Sequence, residues 1–234
     1  QTIPARLLRE KPWARLFYLH YQPPLFNVYG ALFHNLFPSN ALEAMQVGNI
    51  FLGSAITGFV YLTVRLRAQM PLLALLAGLV VALDPGLFLF EAYILYDILT
   101  AFWLVSGVYF FSKYQQQHRL RYALLFFVCL NSLVLTRSAY HLLIVPVAII
   151  IIALASEKQW RKVVVIGLLV SLFSVGWYAK NYVVFGFFGS SSWRGMSLWK
   201  IASYYYDEAE LVDLADSGVL EPLVVEQAPF SPAS

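Results

Sequence analysis

Long apolar runs separated by short clusters of arginine and lysine set the pattern of this chain. Residues 42–64 are mostly apolar, with Glu43 near the start as their one charged residue, and the run ends at Arg65 and Arg67. Residues 71–83 form a second run that Asp84-Pro85-Gly86 interrupts. It is short for a complete crossing. Either it continues through Leu87-Phe88-Leu89-Phe90 as a bent helix, since proline breaks the hydrogen-bond ladder, or it ends at the membrane surface and a re-entrant turn follows. Further runs cover 92–111, 122–136, 140–155 and 163–179, stopping at Lys113, Arg137, Lys158 and Lys180. Pro146 inside the fifth run is compatible with a membrane helix when neighbours satisfy the freed carbonyl. A crossing takes about 17–25 residues for about 30 Å of hydrocarbon. The pattern therefore predicts an all-α, polytopic transmembrane helix bundle of about six spans over residues 42–180.

The flanks differ from the bundle. In residues 1–41 the tandem Pro23-Pro24 forces a break, and Leu25, Val28, Tyr29, Leu32, Phe33 and Leu36 then recur at helical spacing. That spacing predicts an amphipathic helix lying flat in the interface, within a loop outside the membrane. Residues 181–234 carry an aromatic cluster at 199–206 and then seven of the 13 acids: Asp207, Glu208, Glu210, Asp213, Asp216, Glu221 and Glu226. They read as a solvated face opening a soluble extracytoplasmic segment, because no histidine or cysteine accompanies them at metal-ligand spacing.

Composition supports the membrane assignment. Of 234 residues, 60% are apolar and 12% charged, with a mean hydropathy of +0.66, whereas a soluble domain carries about 25% charged residues. Disorder, a coiled coil and a disulfide scaffold are excluded. The single cysteine, Cys129, lies in an apolar run and reads as a small buried residue. A net charge of +3 is too small to suggest nucleic acid as a partner. Eight of the 16 basic residues (Arg65, Arg67, Lys113, Arg119, Arg121, Lys158, Arg161, Lys162) follow the first, third and fifth runs. Those loops are expected on the cytoplasmic side, which places residues 1–41 and the tail outside. Arg6, Arg9, Lys11 and Arg15 count against this orientation if taken alone. The opening Gln1-Thr2-Ile3-Pro4 lacks an initiator methionine, so the chain is expected to be a piece of a longer protein.

Ionisable residues at membrane depth cost several kcal/mol and point to function. Asp84, Glu91 and Asp97 gather near the outer ends of the second and third runs. At about 100° per residue, Glu91 and Asp97 are about 120° apart on a helix, yet the turn at Asp84-Pro85-Gly86 lets all three line one polar pocket. Alternatively, Asp84 caps a helix and Glu91 sits among headgroups. A divalent metal at Asp84 and Glu91 is compatible with the sequence, and nothing in the spacing requires it. Arg137 and His141 are one helical turn apart and share a face if the helix is continuous. A guanidinium beside an imidazole suits a phosphate, and snorkelling of Arg137 to headgroups is the alternative. Lys180 is a third cation on that side.

Four motifs occur in order: Tyr21-Gln22-Pro23-Pro24-Leu25-Phe26; Phe90-Glu91-Ala92-Tyr93 with Tyr96-Asp97; Leu135-Thr136-Arg137-Ser138 with His141; and Gly176-Trp177-Tyr178-Ala179-Lys180-Asn181-Tyr182 with Phe185-Gly186. Together they resemble the GT-C superfamily of polytopic glycosyltransferases, which includes dolichyl-phosphate-mannose protein mannosyltransferases and the bacterial aminoarabinose transferases. The resemblance implies inverting transfer of a sugar from a polyprenyl-phosphate donor to a lipid, glycan or protein acceptor. It implies a multi-pass protein of a plasma membrane, the bacterial inner membrane being the expected one, with its site on the outer side and in contact with membrane lipids. Read from the residues, the roles agree with it: sugar transfer from a lipid phosphate needs a base and cations for the leaving phosphate. Glu91 and Asp97 are therefore the catalytic candidates, one or the other meeting acceptor or sugar hydroxyls or serving as a second acid. Arg137, His141 and Lys180 are the candidates for the donor phosphate, and His20, Tyr21 and Gln22 for substrate binding. Relatives use an acid in the first external loop as base, which is expected upstream of Gln1, and usually show arginine at the position of Lys180. Two alternatives remain at this point. A transporter would show inverted repeats and discontinuous helices, and no repeat links the halves; a non-catalytic scaffold would share the fold.

Overall fold

The computed structural model describes residues 17–156 and 159–220, and among these it is all-helical. Helix α1 (Pro24–Leu36) starts at the tandem prolines, where Pro24 at the first helical position lacks only an N–H that would be unpaired anyway. Helix α2 (Ala41–Ala68) runs 28 residues and stops at Gln69, which takes a left-handed φ of 58°. Helices α3 (Pro71–Ala82) and α4 (Pro85–Ala92) are bent by 49° where Asp84 caps α4 by accepting from Gly86 N at 3.0 Å. The remaining helices are α5 (Asp97–Gln117), α6 (Leu120–Thr136), α7 (Ile144–Leu154), α8 (Trp160–Phe185), α9 (Trp193–Ser203) and α10 (Glu208–Asp216). Gly186, at φ 76°, ends α8 as only glycine does without strain. A capping box between Asp207 and Glu210 starts α10.

Helices α2 and α8 are long and apolar enough to cross a membrane, and the bent pair α3–α4 makes a third crossing if taken as one. By length and composition that is two crossings, or three, among the described residues, against the six apolar runs of the sequence. The shortfall has local causes. The fifth run yields only the 11 residues of α7, about 17 Å of helix, because the chain from 137 to 143 is held across α8: Leu142 N donates to the Tyr178 hydroxyl at 3.3 Å, and Leu143 N to His141 Nδ1 at 3.2 Å. The outward faces are apolar: Phe173 is 78% exposed, Leu154 80% and Val183 81%. Apolar surface of this extent calls for lipid, and the chain is an integral membrane protein.

Several polar side chains in the seams bond to one another or to nearby carbonyls, the arrangement that hydrocarbon favours. Ser174 Oγ of α8 donates to Asn131 Oδ1 of α6 at 2.7 Å, and Asn131 Nδ2 donates to Phe127 O at 2.9 Å. Around this seam Phe127, Val134, Val145, Val163 and Tyr178 form the buried core. Cys129 is 3% exposed, as its apolar run predicted. At one end of the bundle Arg67 Nε donates to Ser112 Oγ at 3.2 Å, and Gln116 Nε2 to Leu66 O at 2.9 Å. At the other end Gln46 Nε2 donates to Ala92 O at 3.0 Å and Asn49 Nδ2 to Glu91 O at 3.3 Å. The ends of α2 and α5 thus meet at one end of the bundle, and at the other the start of α2 meets the end of α4. Helices α2 and α5 therefore pack directly on each other in parallel, and α3–α4 returns the chain along α2. Helix α1 lies on α2 where Gly48 admits it, since a Cβ there would stand 2.6 Å from the Tyr29 hydroxyl. Arg6, Glu10, Lys11, Arg15, Lys158, Glu221 and Glu226 lie outside the described residues.

Candidate functional site

The site lies at the end of the bundle away from Arg67, and two loops build it. The chain at 189–193 is laced to the chain at 19–21. Ser192 N donates to His20 O at 2.9 Å, Ser192 Oγ lies 3.1 Å from His20 Nδ1, and Ser191 Oγ donates to Tyr21 O. Helix α8 anchors the same loop through Trp177 Nε1 to Ser190 O at 3.0 Å and Asn181 Nδ2 to Gly189 O at 2.7 Å. The Tyr21 and Trp193 rings then face each other at 5.3 Å.

Between this lacing and the end of α6 lies a cavity of about 420 Å³, lined by Tyr21, Gln22 and Pro23, by Tyr96, by Thr136 to Ala139, and by Ser191, Trp193, Arg194 and Leu198. It falls within the range of small-ligand pockets. Arg137, just past the end of α6, donates from Nη1 to Asp97 Oδ1 at 2.7 Å, and its Cζ stands 5.1 Å above the Tyr96 ring. The Arg137 side chain is 41% exposed and that of Asp97 23%. Asp97 begins α5, so its carboxylate also sits at the positive end of a helix dipole. A guanidinium has five N–H donors. One is committed to Asp97, and a planar fork remains for an anion in the cavity that Arg137 lines.

The structure thus brings Tyr21, Gln22 and Arg137 together at one cavity, with Asp97 behind Arg137. The other predicted residues are not among those that line it. His20 is held by Ser192 and packs 4.5 Å from the Phe185 ring; burial first, and the Lys180 charge second, keep its imidazole below the ordinary histidine value. Lys180 donates from Nζ to Leu19 O at 2.6 Å and Phe17 O at 3.1 Å, and lies 3.6 Å from the centre of the Trp177 ring. Its ammonium therefore fastens the segment that carries Tyr21 and Gln22. His141 is in the loop between α6 and α7, not on a continuous helix with Arg137, and its ring meets Tyr178 edge-on at 6.0 Å. Glu91 ends α4 against α2 in a notch left by Gly53, where a Cβ would fall 1.8 Å from Glu91 Oε1. Among the described residues no three histidine, cysteine or acidic side chains cluster as metal ligands.

Sequence reasoning did not single out Arg194, Trp193, Tyr96 or Ser191. The available signal was the small-residue stretch Gly189-Ser190-Ser191-Ser192 directly before Trp193-Arg194. Such a stretch lets a chain pass close to another backbone, yet it does not say which.

A bundle of lipid-facing helices with a cationic, hydroxyl-lined cavity at one end defines an integral membrane protein with a site at the membrane boundary. The chain belongs to the dolichyl-phosphate-mannose-protein mannosyltransferase family, whose sequence pattern matches residues 16–188. Comparisons with the curated proteins and with the solved structures found no match. The resemblance carried by the four motifs is borne out at the level of the family, and membership makes this a membrane glycosyltransferase by class. The matched residues include Tyr21, Gln22, Asp97 and Arg137 and stop short of Ser191, Trp193 and Arg194.

Proposed function

We propose that the chain forms the donor-phosphate side of an enzyme that moves mannose or a related sugar from a polyprenyl-phosphate carrier to a protein acceptor on the outer face of the membrane. The observation that carries this reading is the Arg137–Asp97 pair at the cavity, inside the part of the chain that matches the family. The sidedness rests on the basic residues that follow the first, third and fifth apolar runs in the sequence, and the family's name supplies donor and acceptor class.

In the reaction the acceptor hydroxyl oxygen bonds to the anomeric carbon of the sugar as the bond from that carbon to the phosphate oxygen breaks. The electron pair of that bond stays on the phosphate, the hydroxyl proton passes to a carboxylate base, and attack from the opposite side inverts the centre. Arg137 holds the phosphate by charge-assisted hydrogen bonds and stabilises the charge it gains. Asp97 works through Arg137: by taking one N–H it fixes the plane of the fork, and it is a positioning residue. Tyr21 and Trp193 offer flat faces on which a sugar ring can rest. Lys180 keeps the Tyr21 segment in place, and Glu91 serves as a second acid at the acceptor side.

The test uses the full-length protein in vesicles containing a radiolabelled polyprenyl-phosphate sugar, with an acceptor peptide outside. Arg137→Ala is expected to lower transfer by about 10²–10³-fold, the usual cost of removing one donor to a developing oxyanion, without changing membrane insertion or melting. Asp97→Asn should cost less, and Glu91→Gln should reduce transfer without changing donor binding. Undiminished transfer by Arg137→Ala would remove the assignment.

A further inference from the structure

The cavity has a second cation, and the family match ends before it. Arg194, in the first turn of α9, lines the same cavity as Arg137. Both arginines line it and, among the described residues, no carboxylate does, since Asp97 sits behind Arg137 and the other polar lining residues carry hydroxyls, the Gln22 amide and the Trp193 indole. The two arginines differ in partners. Arg137 is ion-paired with Asp97 and lies over Tyr96, whereas among the described residues no acceptor takes a hydrogen bond from the Arg194 guanidinium and no ring lies beneath it. Arg194 is nonetheless held in place. Its backbone follows directly on the lacing of Ser191 and Ser192 to His20 and Tyr21, and on Trp193, whose ring packs on Tyr21. An arginine on a fixed backbone, with no acceptor and no acid beside it among the described residues and a second arginine lining the same cavity, suits an anionic ligand.

We propose that Arg194 is the second guanidinium of a two-arginine cradle for a lipid phosphate monoester. The proposal rests on the donor reading above and adds to it a residue and a charge state. A sugar-phosphate lipid is a phosphodiester with one negative charge. When the bond from sugar to phosphate breaks, the phosphate keeps the electron pair and becomes a monoester carrying up to two. Arg137, ion-paired with Asp97 through one N–H, keeps its remaining donors for the single charge of the bound donor. Arg194 matches the charge that appears only as the bond breaks, so its contribution falls on the transition state and on the released polyprenyl phosphate more than on the donor. An interaction of that kind raises kcat and leaves KM nearly unchanged.

The experiment compares wild type, Arg194→Ala and Arg194→Lys, each as full-length protein in phosphatidylcholine vesicles. Binding is read from tryptophan fluorescence with four probes: polyprenyl phosphate, uncharged polyprenol, inorganic phosphate and phosphatidylglycerol. Transfer is read in parallel as kcat and KM for the sugar donor. Wild type should bind polyprenyl phosphate well above the other three. Arg194→Ala should weaken that binding by roughly 10- to 100-fold, the worth of a charged hydrogen bond, and lower kcat by a similar factor with KM changed less than about threefold. Arg194→Lys should recover part of both. Equal melting midpoints for the three proteins separate these effects from misfolding. Unchanged polyprenyl phosphate binding in Arg194→Ala overturns the cradle, as does wild-type binding of inorganic phosphate or phosphatidylglycerol as tight as that of polyprenyl phosphate. If wild type binds polyprenyl phosphate through Arg194 but transfers no sugar, the cradle stands and the transferase reading falls. Full transfer by Arg194→Ala with unchanged binding does the reverse.

Discussion

Alanine at Gly167 should leave the protein less stable than alanine at Gly176, although both glycines belong to α8. A Cβ at position 167 would fall 2.5 Å from Cγ1 and 2.8 Å from Cδ1 of Ile149, and 3.2 Å from Cζ of Phe127. Ile149 is β-branched and stiff at χ1 within a helix, and Phe127 is fully buried. Relief therefore requires α7 and α8 to separate, and overpacking of this kind costs about 1–3 kcal/mol. At position 176 a Cβ meets nothing within 4 Å, so only the gain of about 1 kcal/mol from replacing a helical glycine applies. The same gain operates at 167. The net effect there ranges from near zero to about 2 kcal/mol destabilising, and the difference between the two variants isolates the packing cost at about 1–3 kcal/mol. Denaturant or thermal unfolding of wild type and both variants in one detergent measures it. If Gly167→Ala proves as stable as Gly176→Ala, the close contact of α7 with α8 is not real and the reasoning fails.

Two further outcomes follow from the polar contacts. Ser174→Ala deprives buried Asn131 Oδ1 of its donor and should cost about 1 kcal/mol in a membrane setting; adding Asn131→Leu should recover much of that loss, since removing both partners is nearly neutral, and unfolding titrations that show no recovery would refute the pairing. His20, held below 6.5 by burial and by Lys180, takes up fewer protons in the folded chain than in the unfolded one at acid pH. Stability should therefore be intact above pH 6.5 and decline as the pH falls from there through the folded value. Melting midpoints at pH 8 and pH 5 should differ more in wild type than in His20→Gln, and an equal difference would count against the burial of His20.

Several parts of the fold were legible because bilayer chemistry writes them plainly. The apolar runs appear as helices, Asp84 caps α4, the tandem prolines start α1, and Cys129 is buried, each following from a local rule about backbone hydrogen bonds or the cost of polarity in lipid. The number of crossings was less legible. Residues 140–155 are apolar apart from His141, yet the helix begins only at Ile144, after a turn in which Tyr178, 36 residues further on, takes the Leu142 N–H. A contact across that separation leaves no trace in periodicity.

The candidate site divides in the same way. Arg137 and Asp97 stood out by themselves because an ionisable residue near lipid needs a reason. Their pairing across 40 residues was decided by the tertiary structure, which sets the start of α5 beside the end of α6. Lys180 was read as a cation facing outward, whereas folding turns its ammonium onto the Phe17 and Leu19 carbonyls, a partnership set by 163 and 161 residues of intervening chain. Arg194 was passed over because an arginine in a polar tail needs no explanation until the loop before it is seen laced to His20 and Tyr21. The sequence by itself determined where polarity is expensive, and hence the helices and the short list of charges near them. Which of those charges meet was decided only by packing, because hydrogen bonds and ion pairs depend on distance in space, and distance along the chain does not encode it.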